Sequence, residues 1–127
     1  MSAAEEGGRF RRAVRRLASE DADLEADDLQ RQSEADGATI VARCPARGLV
    51  TVLGRVRSLT LRPRAGTPSL EVDLYDGSGT VTLVWLGRRE IAGMTPGVQI
   101  RATGRITSDG TRRVIFNPRY ELVLHEV

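Results

Sequence analysis

The strongest constraint on the fold is a change of period near residue 38, where apolar and polar side chains begin to alternate every two residues. This alternation predicts strands with one buried face, because successive side chains of a strand point to opposite sides. Glycine- and proline-rich segments divide the alternating region into pieces. The five predicted strands cover residues 48–61, 69–76, 79–86, 97–107 and 112–124, the last interrupted at Pro118.

Two irregularities in the pattern indicate how the strands are arranged. Gly54 lies in the middle of the long first strand and predicts a bulge or bend, as expected where one strand serves both halves of a barrel. Residues 87–96 break the β pattern between the third and fourth strands and have room for one helical turn. The predicted fold is therefore all-β, a five-stranded OB-fold barrel with an N-terminal helical arm. The residues expected inside are Val52, Val72, Leu83 and Ile100.

The arm precedes the strands and has a different pattern. Residues 8–34 contain no proline and show no β-type alternation. An apolar stripe with the spacing of one helical face runs along them: Phe10, Val14, Leu17 and Leu24. Asp21 and Asp28 interrupt this stripe, so we predict one broken helix or two short ones, weakly docked and stopped at Gly37.

Charge separates the chain in the same way, and we divide it into an arm at 1–37 and an OB-fold domain at 38–127. Residues 1–36 carry ten acids and six arginines, a net charge of −4, whereas residues 37–127 carry thirteen arginines and seven acids, a net charge of +6. Residues 20–36 alone carry −7. Two hypotheses stay open: this acidic stretch lies over a basic groove as a nucleic-acid mimic, or it is a solvated tail or a helix packed elsewhere by the apolar stripe.

Five short motifs recur in order at fitting intervals. They cover residues 70–79 (LEVDLYDGSG), 83–85 (LVW), 94–97 (MTPG), 102–105 (ATGR) and 117–120 (NPRY). With them, residues 48–124 resemble the nucleic-acid-binding OB family that includes the wedge domain of RecG-type fork helicases and the anticodon-binding domains of class II tRNA synthetases. The chain looks most similar to the stand-alone, single-OB proteins of actinobacteria. The resemblance implies nucleic-acid binding, although the fold also serves as a protein-interaction module.

The residues expected to bind nucleic acid follow from where OB-folds hold a strand. They bind it across the outer face of the second and third strands, between the loops that follow the first and fourth. Such binding needs cations for the backbone and flat side chains for the bases, and Tyr75 should point outward as a stacking platform. The predicted nucleic-acid-binding residues are Arg55, Arg57, Arg62, Arg64, Tyr75, Arg105, Arg112 and Arg113.

The other aromatic residues receive different predictions. Trp85 shares a face with apolar neighbours and is expected in the core, as is Phe116. Tyr120 fits a position at the end of the barrel or in the groove equally well.

Two acidic residues weaken this prediction for the groove. Glu71 and Asp73 should also point outward on the binding face, where they would repel phosphate. We expect them to pair with Arg55 and Arg57, which predicts a modest affinity.

No residue pattern supports catalysis or a cofactor. His125 is the only histidine and is expected in a frayed tail, and Cys44 precedes a proline, where an inert thiol is expected. No cluster has the spacing of a metal site, so neither a cofactor nor enzyme activity is predicted. The single cysteine, the absence of a signal-like N-terminus and the absence of a long apolar stretch predict a cytoplasmic location away from membranes.

The predicted function is therefore non-catalytic binding of single-stranded or branched nucleic acid, DNA before RNA. The alternative is a protein-interaction OB module that docks onto a larger complex. In that case the barrel edge or the arm is the expected contact with a protein partner.

Overall fold

The computed structural model describes residues 3–108 and 110–124. The prediction for His125 therefore lies outside the described residues, as does the side chain of Phe10. One long helix precedes a short 3-10 turn at Val41–Arg43 and a series of strands. The elements are α1 (Ala3–Asp36), β1 (Arg47–Arg64), β2 (Thr67–Tyr75), β3 (Thr80–Leu86), β4 (Gln99–Ser108), β5 (Arg113–Phe116) and β6 (Arg119–Val123).

Five of the strands close a ring in the order β1-β2-β3-β5-β4, with β4 returning to β1. The β3–β5 pair is parallel and the other pairs are antiparallel. β6 continues along β4 beside residues 99–103. The predicted fold class, a five-stranded β structure with an N-terminal helix, is confirmed.

The interior of the ring is apolar and follows the predicted alternation. Val52, Val72, Leu83 and Ile100 are all fully buried, which confirms the predicted register. Trp85 also belongs to this core, as expected. Each fully buried aliphatic side chain of this size stabilises the fold by about 1.5–3 kcal/mol relative to an exposed one.

The predicted fifth strand is two strands, and this division changes the position of Phe116. Ile115 is the residue of β5 that faces the core, because it pairs with Ile106 of β4. Phe116 follows it and is 43% exposed on the outer face, so its predicted place in the core was wrong. The chain then turns at Asn117, whose φ of 49° ends β5.

The long first strand also departs from the prediction in two places. The register shift falls between Val56 and Ser58, not at Gly54. Gly54 is required for another reason, since a Cβ there would lie 2.7 Å from the carbonyl oxygen of Tyr75. The predicted loop at 62–68 is mostly strand, because β1 and β2 are joined by Ala65 and Gly66 alone, both with positive φ.

The arm is one continuous helix, and the predicted break was wrong. The Ala-, Glu- and Arg-rich segment favours helix throughout, and Asp21 lies on an exposed face where it forces no break. The helix ends at Asp36, followed by Gly37 with a φ of 79°. Residues 87–98, between β3 and β4, contain turns and no helical turn.

Only the second half of α1 packs against the ring. Leu29 and Ser33 are buried, whereas Val14, Leu17 and Leu24 are exposed. The predicted apolar stripe is therefore not the docking face. The helix also lies tightly against the β2–β3 turn, where a Cβ on Gly77 would collide with the carbonyl oxygen of Ala26.

Candidate nucleic-acid interface

The outer face of β2 and β3 carries a cluster of three arginines around one buried carboxylate. Arg62 and Arg64 come from the end of β1, and Arg112 comes from the β4–β5 connection. Their guanidinium nitrogens lie 3.0, 2.6 and 3.4 Å, respectively, from carboxylate oxygens of Glu71. We call Arg62, Arg64, Arg112 and Glu71 the arginine cluster.

The alternation of β2 explains why Glu71 faces outward and is nevertheless buried. Val72 and Leu74 fill the interior, so Glu71 must point outside, where the three arginines cover it. Burial by itself would raise the pKa of Glu71, but the hydrogen bond from Arg64 and the charges of the three arginines outweigh burial and lower it. Glu71 is therefore ionised at neutral pH and holds the arginines in place.

A second group of predicted residues lies about 13 Å further along β2, the length of four residues of strand. The guanidinium carbon of Arg57 lies 4.2 Å from the centroid of the Tyr75 ring, a cation–π geometry. Arg55 is the strand partner of Tyr75. We call Arg55, Arg57 and Tyr75 the tyrosine cluster.

Helix α1 supplies the acid of the tyrosine cluster. A carboxylate oxygen of Glu25 lies 3.1 Å from Arg55 and 3.6 Å from Arg57. The predicted pairing of these arginines with Glu71 and Asp73 was therefore wrong. Asp73 instead accepts hydrogen bonds from Ser58 and Thr82.

The helix makes further polar contacts along the outer face of β1 and β4. Arg101 of β4 makes an ion pair with Asp36, and its Nε donates a 2.8 Å hydrogen bond to that carboxylate. This hydrogen bond lowers the pKa of Asp36 and raises that of Arg101. Gln99 donates to Gln32 beside them. Because Leu53 faces outward between these contacts and is only 5% exposed, we infer that the helix covers it.

The remaining two predicted arginines do not join either cluster. Arg105 is exposed on the outer face of β4, opposite Leu49 of β1. Arg113 is half-buried at the start of β5. It lies near the β2–β3 turn, where its positive charge opposes the rise in the pKa of Cys44. The structure thus brings together six of the eight predicted residues, in two clusters.

Phe116 is the residue of this face that the sequence failed to indicate. Its ring is 43% exposed beside the arginine cluster, with the guanidinium carbon of Arg64 5.7 Å from the ring centroid. The sequence could have indicated this position through the neighbouring Ile115. Only one of two successive strand residues can face the core, so an inward Ile115 places Phe116 outside.

Cys44 is a buried free cysteine. Burial raises the pKa of the Cys44 thiol, and Asp76 raises it further against the opposing charge of Arg113. A thiol with a raised pKa is a poor nucleophile.

Within residues 3–108 and 110–124, no three His, Cys, Asp or Glu side chains are grouped as metal ligands. Among the same residues no helix is long and apolar enough to cross a membrane.

A separate cleft of about 870 Å³ lies between the β3–β4 connection and β6. Trp85 and Tyr120 line it with their rings in an edge-to-face contact 5.8 Å apart. The Trp85 indole donates to the carbonyl of Pro118, and the Tyr120 hydroxyl donates to that of Ala92. Both polar groups are thus used within the protein, and Tyr120 packs at the edge of the core.

Comparison with known proteins agrees with this geometry. The family model described as an OB-fold nucleic acid binding domain matches residues 50–127, more than half of the chain. The chain belongs to this family. No curated protein sequence gave a significant match.

Solved structures show similarity in fold. The HINb domain of p204 superposes with a TM-score of 0.56 at 18% identity, over 72% of this chain and 49% of that one. A replication protein A heterotrimer bound to single-stranded DNA gives 0.49 at 21% identity, over 71% and 68%. RecG bound to a three-way DNA junction gives 0.46 at 21% identity, over 63% and 11%. The chain therefore spans about half of the p204 structure and about a ninth of the RecG chain. The similarity to actinobacterial single-OB proteins stays a prediction.

Proposed function

We propose that this chain binds single-stranded or branched DNA, without catalysis, across the outer face of β2 and β3. The observation that carries the proposal is the convergence of Arg62, Arg64 and Arg112 on one face that also carries the exposed Phe116 and the half-buried Tyr75. Guanidinium groups suit phosphate oxygens, and an accessible aromatic ring offers a surface on which a base can stack.

The two clusters would contribute different contacts to one bound strand. The arginine cluster holds its cations close together because all three meet Glu71, so they are ordered before a ligand arrives. The tyrosine cluster, about 13 Å along β2, supplies a ring and two further cations. Binding must exchange ion pairs with Glu71 and Glu25 for ion pairs with phosphate, which favours a modest and salt-sensitive affinity.

Fluorescence anisotropy with labelled single-stranded, duplex and forked DNA, and with matching RNA, tests the proposal at several salt concentrations. The logarithm of the binding constant should fall with that of salt, by about 0.7 per phosphate contact on a single strand. The double variant Arg62→Ala/Arg64→Ala should bind at least about tenfold more weakly, with a slope smaller by about 1.4 if each arginine contacts one phosphate. Its control, Arg43→Ala/Arg119→Ala, removes the same charge from exposed positions outside both clusters and should change the slope little.

The alternative is that the chain is a protein-interaction module. The long exposed part of α1 favours it, because every side chain from residue 11 to residue 24 is exposed. No binding to any of the nucleic acids, or binding that salt does not weaken, would contradict our proposal and support this alternative. The cytoplasmic location and the domain division at residues 37 and 38 stay predictions.

A further inference from the structure

The stretch of helix α1 from residue 11 to residue 24 carries an apolar stripe that the ring does not bury. Every side chain from residue 11 to residue 24 is exposed, and the helix meets the ring only from Glu25 onward. A helix segment of this length is marginally stable in water without tertiary contacts. Val14, Leu17 and Leu24 are nevertheless 47%, 62% and 60% exposed along it. This stripe would gain stability from a partner.

The ring cannot supply that partner. The docked residues of α1, Glu25, Leu29 and Asp36, lie on one side of the helix. At 3.6 residues per turn, the stripe lies roughly 90° around the helix from that side. The stripe is thus open to another molecule while the helix remains docked.

The charges along this half indicate which molecule fits. Its first turns carry a positive group, Arg11, Arg12, Arg15 and Arg16. Its last turns carry a negative group, Glu20, Asp21, Asp23, Glu25, Asp27 and Asp28. A second copy laid parallel would set like charges against each other, whereas an antiparallel copy sets each group against its opposite. We propose that two copies of this chain associate through antiparallel pairing of α1 over residues 11–28.

The apolar stripe fixes the register of the pair. Placing Val14 of one copy opposite Leu24 of the other centres the pair near residue 19 and sets the positive group of each copy beside the negative group of its partner. Leu17 then faces Asp21 near the centre. A polar residue in such a seam lowers the affinity and disfavours other registers. With so few apolar side chains, charge supplies much of the attraction, and the dimer should weaken as salt rises.

Sedimentation equilibrium of the full chain tests the association, and two charge-reversed variants test its cause. The acidic variant carries Arg11→Glu, Arg12→Glu and Arg15→Glu, and the basic variant carries Glu20→Arg, Asp21→Arg and Asp23→Arg. All six positions are exposed, and circular dichroism checks that the fold survives. We expect the wild-type chain to dimerise at low salt and each variant alone to dissociate at least about tenfold more readily, since about 1.4 kcal/mol corresponds to that factor. An equimolar mixture of the two variants should restore a heterodimer.

Cysteine cross-linking tests the direction. In an antiparallel pair centred near residue 19, Asp21→Cys lies in the seam about 6 Å along the axis from its own copy, whereas Asp28→Cys lies in the same stripe about 27 Å from its own copy. A short bismaleimide should therefore link Asp21→Cys dimers and leave Asp28→Cys unlinked, and the buried Cys44 should react in neither variant. A monomer at all concentrations, a mixture that stays monomeric, or equal linking at both positions would each overturn the proposal. None of these results depends on nucleic-acid binding.

Discussion

The two outer faces of the ring both pair arginines with carboxylates, but the acids come from different places. On the β2–β3 face, Glu71 belongs to the ring itself, and the three arginines that surround it come from strand ends and a connection. On the β1–β4 face, the arginines belong to the strands, and the acids Glu25 and Asp36 belong to helix α1. On one face the paired carboxylate comes from the ring, and on the other it comes from the helix.

This difference determines how easily each set of arginines can be released. Glu71 is only 6% exposed and fixed by strand pairing, so a ligand must compete with it in place. Glu25 is 38% exposed on a helix outside the ring, so its ion pairs can be lost without disturbing strand pairing. The hypothesis that the acidic arm shields the groove therefore applies to the tyrosine cluster. The arginine cluster is instead restrained by its own carboxylate.

The largest single-residue effect should come from Tyr75, which lies where the two faces meet. Tyr75→Ala should weaken binding of single-stranded DNA by about 1–3 kcal/mol if a base stacks on its ring. Tyr75→Phe keeps the ring and should bind almost as well as the wild type. Anisotropy titrations at one salt concentration measure both. Equal losses in the two variants would mean that the hydroxyl matters and stacking does not.

Removing the internal carboxylate should have opposite effects on stability and binding. Glu71→Gln removes the charge that holds three arginines, so the free energy of unfolding in urea should fall by about 1–2 kcal/mol. The same change removes a charge that repels phosphate, so DNA affinity should rise by about fivefold, or about 1 kcal/mol. Weaker binding by a folded Glu71→Gln variant would show that ordering the arginines matters more than their release.

Removing the external carboxylate should have a smaller effect. Glu25→Gln frees Arg55 and Arg57, and because exposed ion pairs contribute less than about 1 kcal/mol, the affinity should rise about twofold to threefold. The gain should shrink as salt rises. Glu34→Gln makes the same charge change on an exposed position of the same helix and is the matched control. An equal gain in both variants would show a general charge effect and no local shielding.

The smallest effect concerns pH and the end of the helix. The hydrogen bond from Arg101 lowers the pKa of Asp36, so the ionised carboxylate stabilises the docked helix above the ordinary aspartate range. This contribution should disappear as the pH falls through the lowered pKa. The protection factors of the Leu29 and Ser33 amides, which correct for the pH dependence of intrinsic exchange, should therefore fall in acid. In Asp36→Asn they should be about twofold lower already at neutral pH and should depend less on pH. Identical pH profiles for the two proteins would contradict the role of this ion pair.

The sequence predicted those features that depend on local pattern. Alternation alone placed Val72 and Leu83 inside the ring, and the stop at Gly37 followed from the preference of glycine for positive φ. The outward direction of Glu71 was correct for the same reason. Its partners were not predicted, because Arg112 lies 41 positions away and only ring closure brings it near.

The predictions were wrong where the local sequence allows two conformations almost equally well. Phe116 and Ile115 are both apolar, and the pairing of Ile115 with Ile106 decides which of them turns inward. Gly54 predicted a bulge at its own position, but the register of β1 shifts at Arg57, which has no partner residue in β2. This shift brings the Arg57 side chain to the Tyr75 ring. The docking face of α1 could not be predicted either, because its buried residues, Leu29 and Ser33, form no continuous apolar stripe.

Gly77 offers a way to recognise, from sequence alone, which related chains can carry a docked arm. Its φ of 91° suits glycine or asparagine, so the β2–β3 turn by itself would tolerate either residue. The carbonyl oxygen of Ala26 removes that freedom, since any Cβ at this position would collide with the helix backbone. A homologue with asparagine here could keep the turn but could not seat a helix in this position. A residue other than glycine at this position would therefore mark those homologous sequences in which no helix can cover the β1–β4 face in this way.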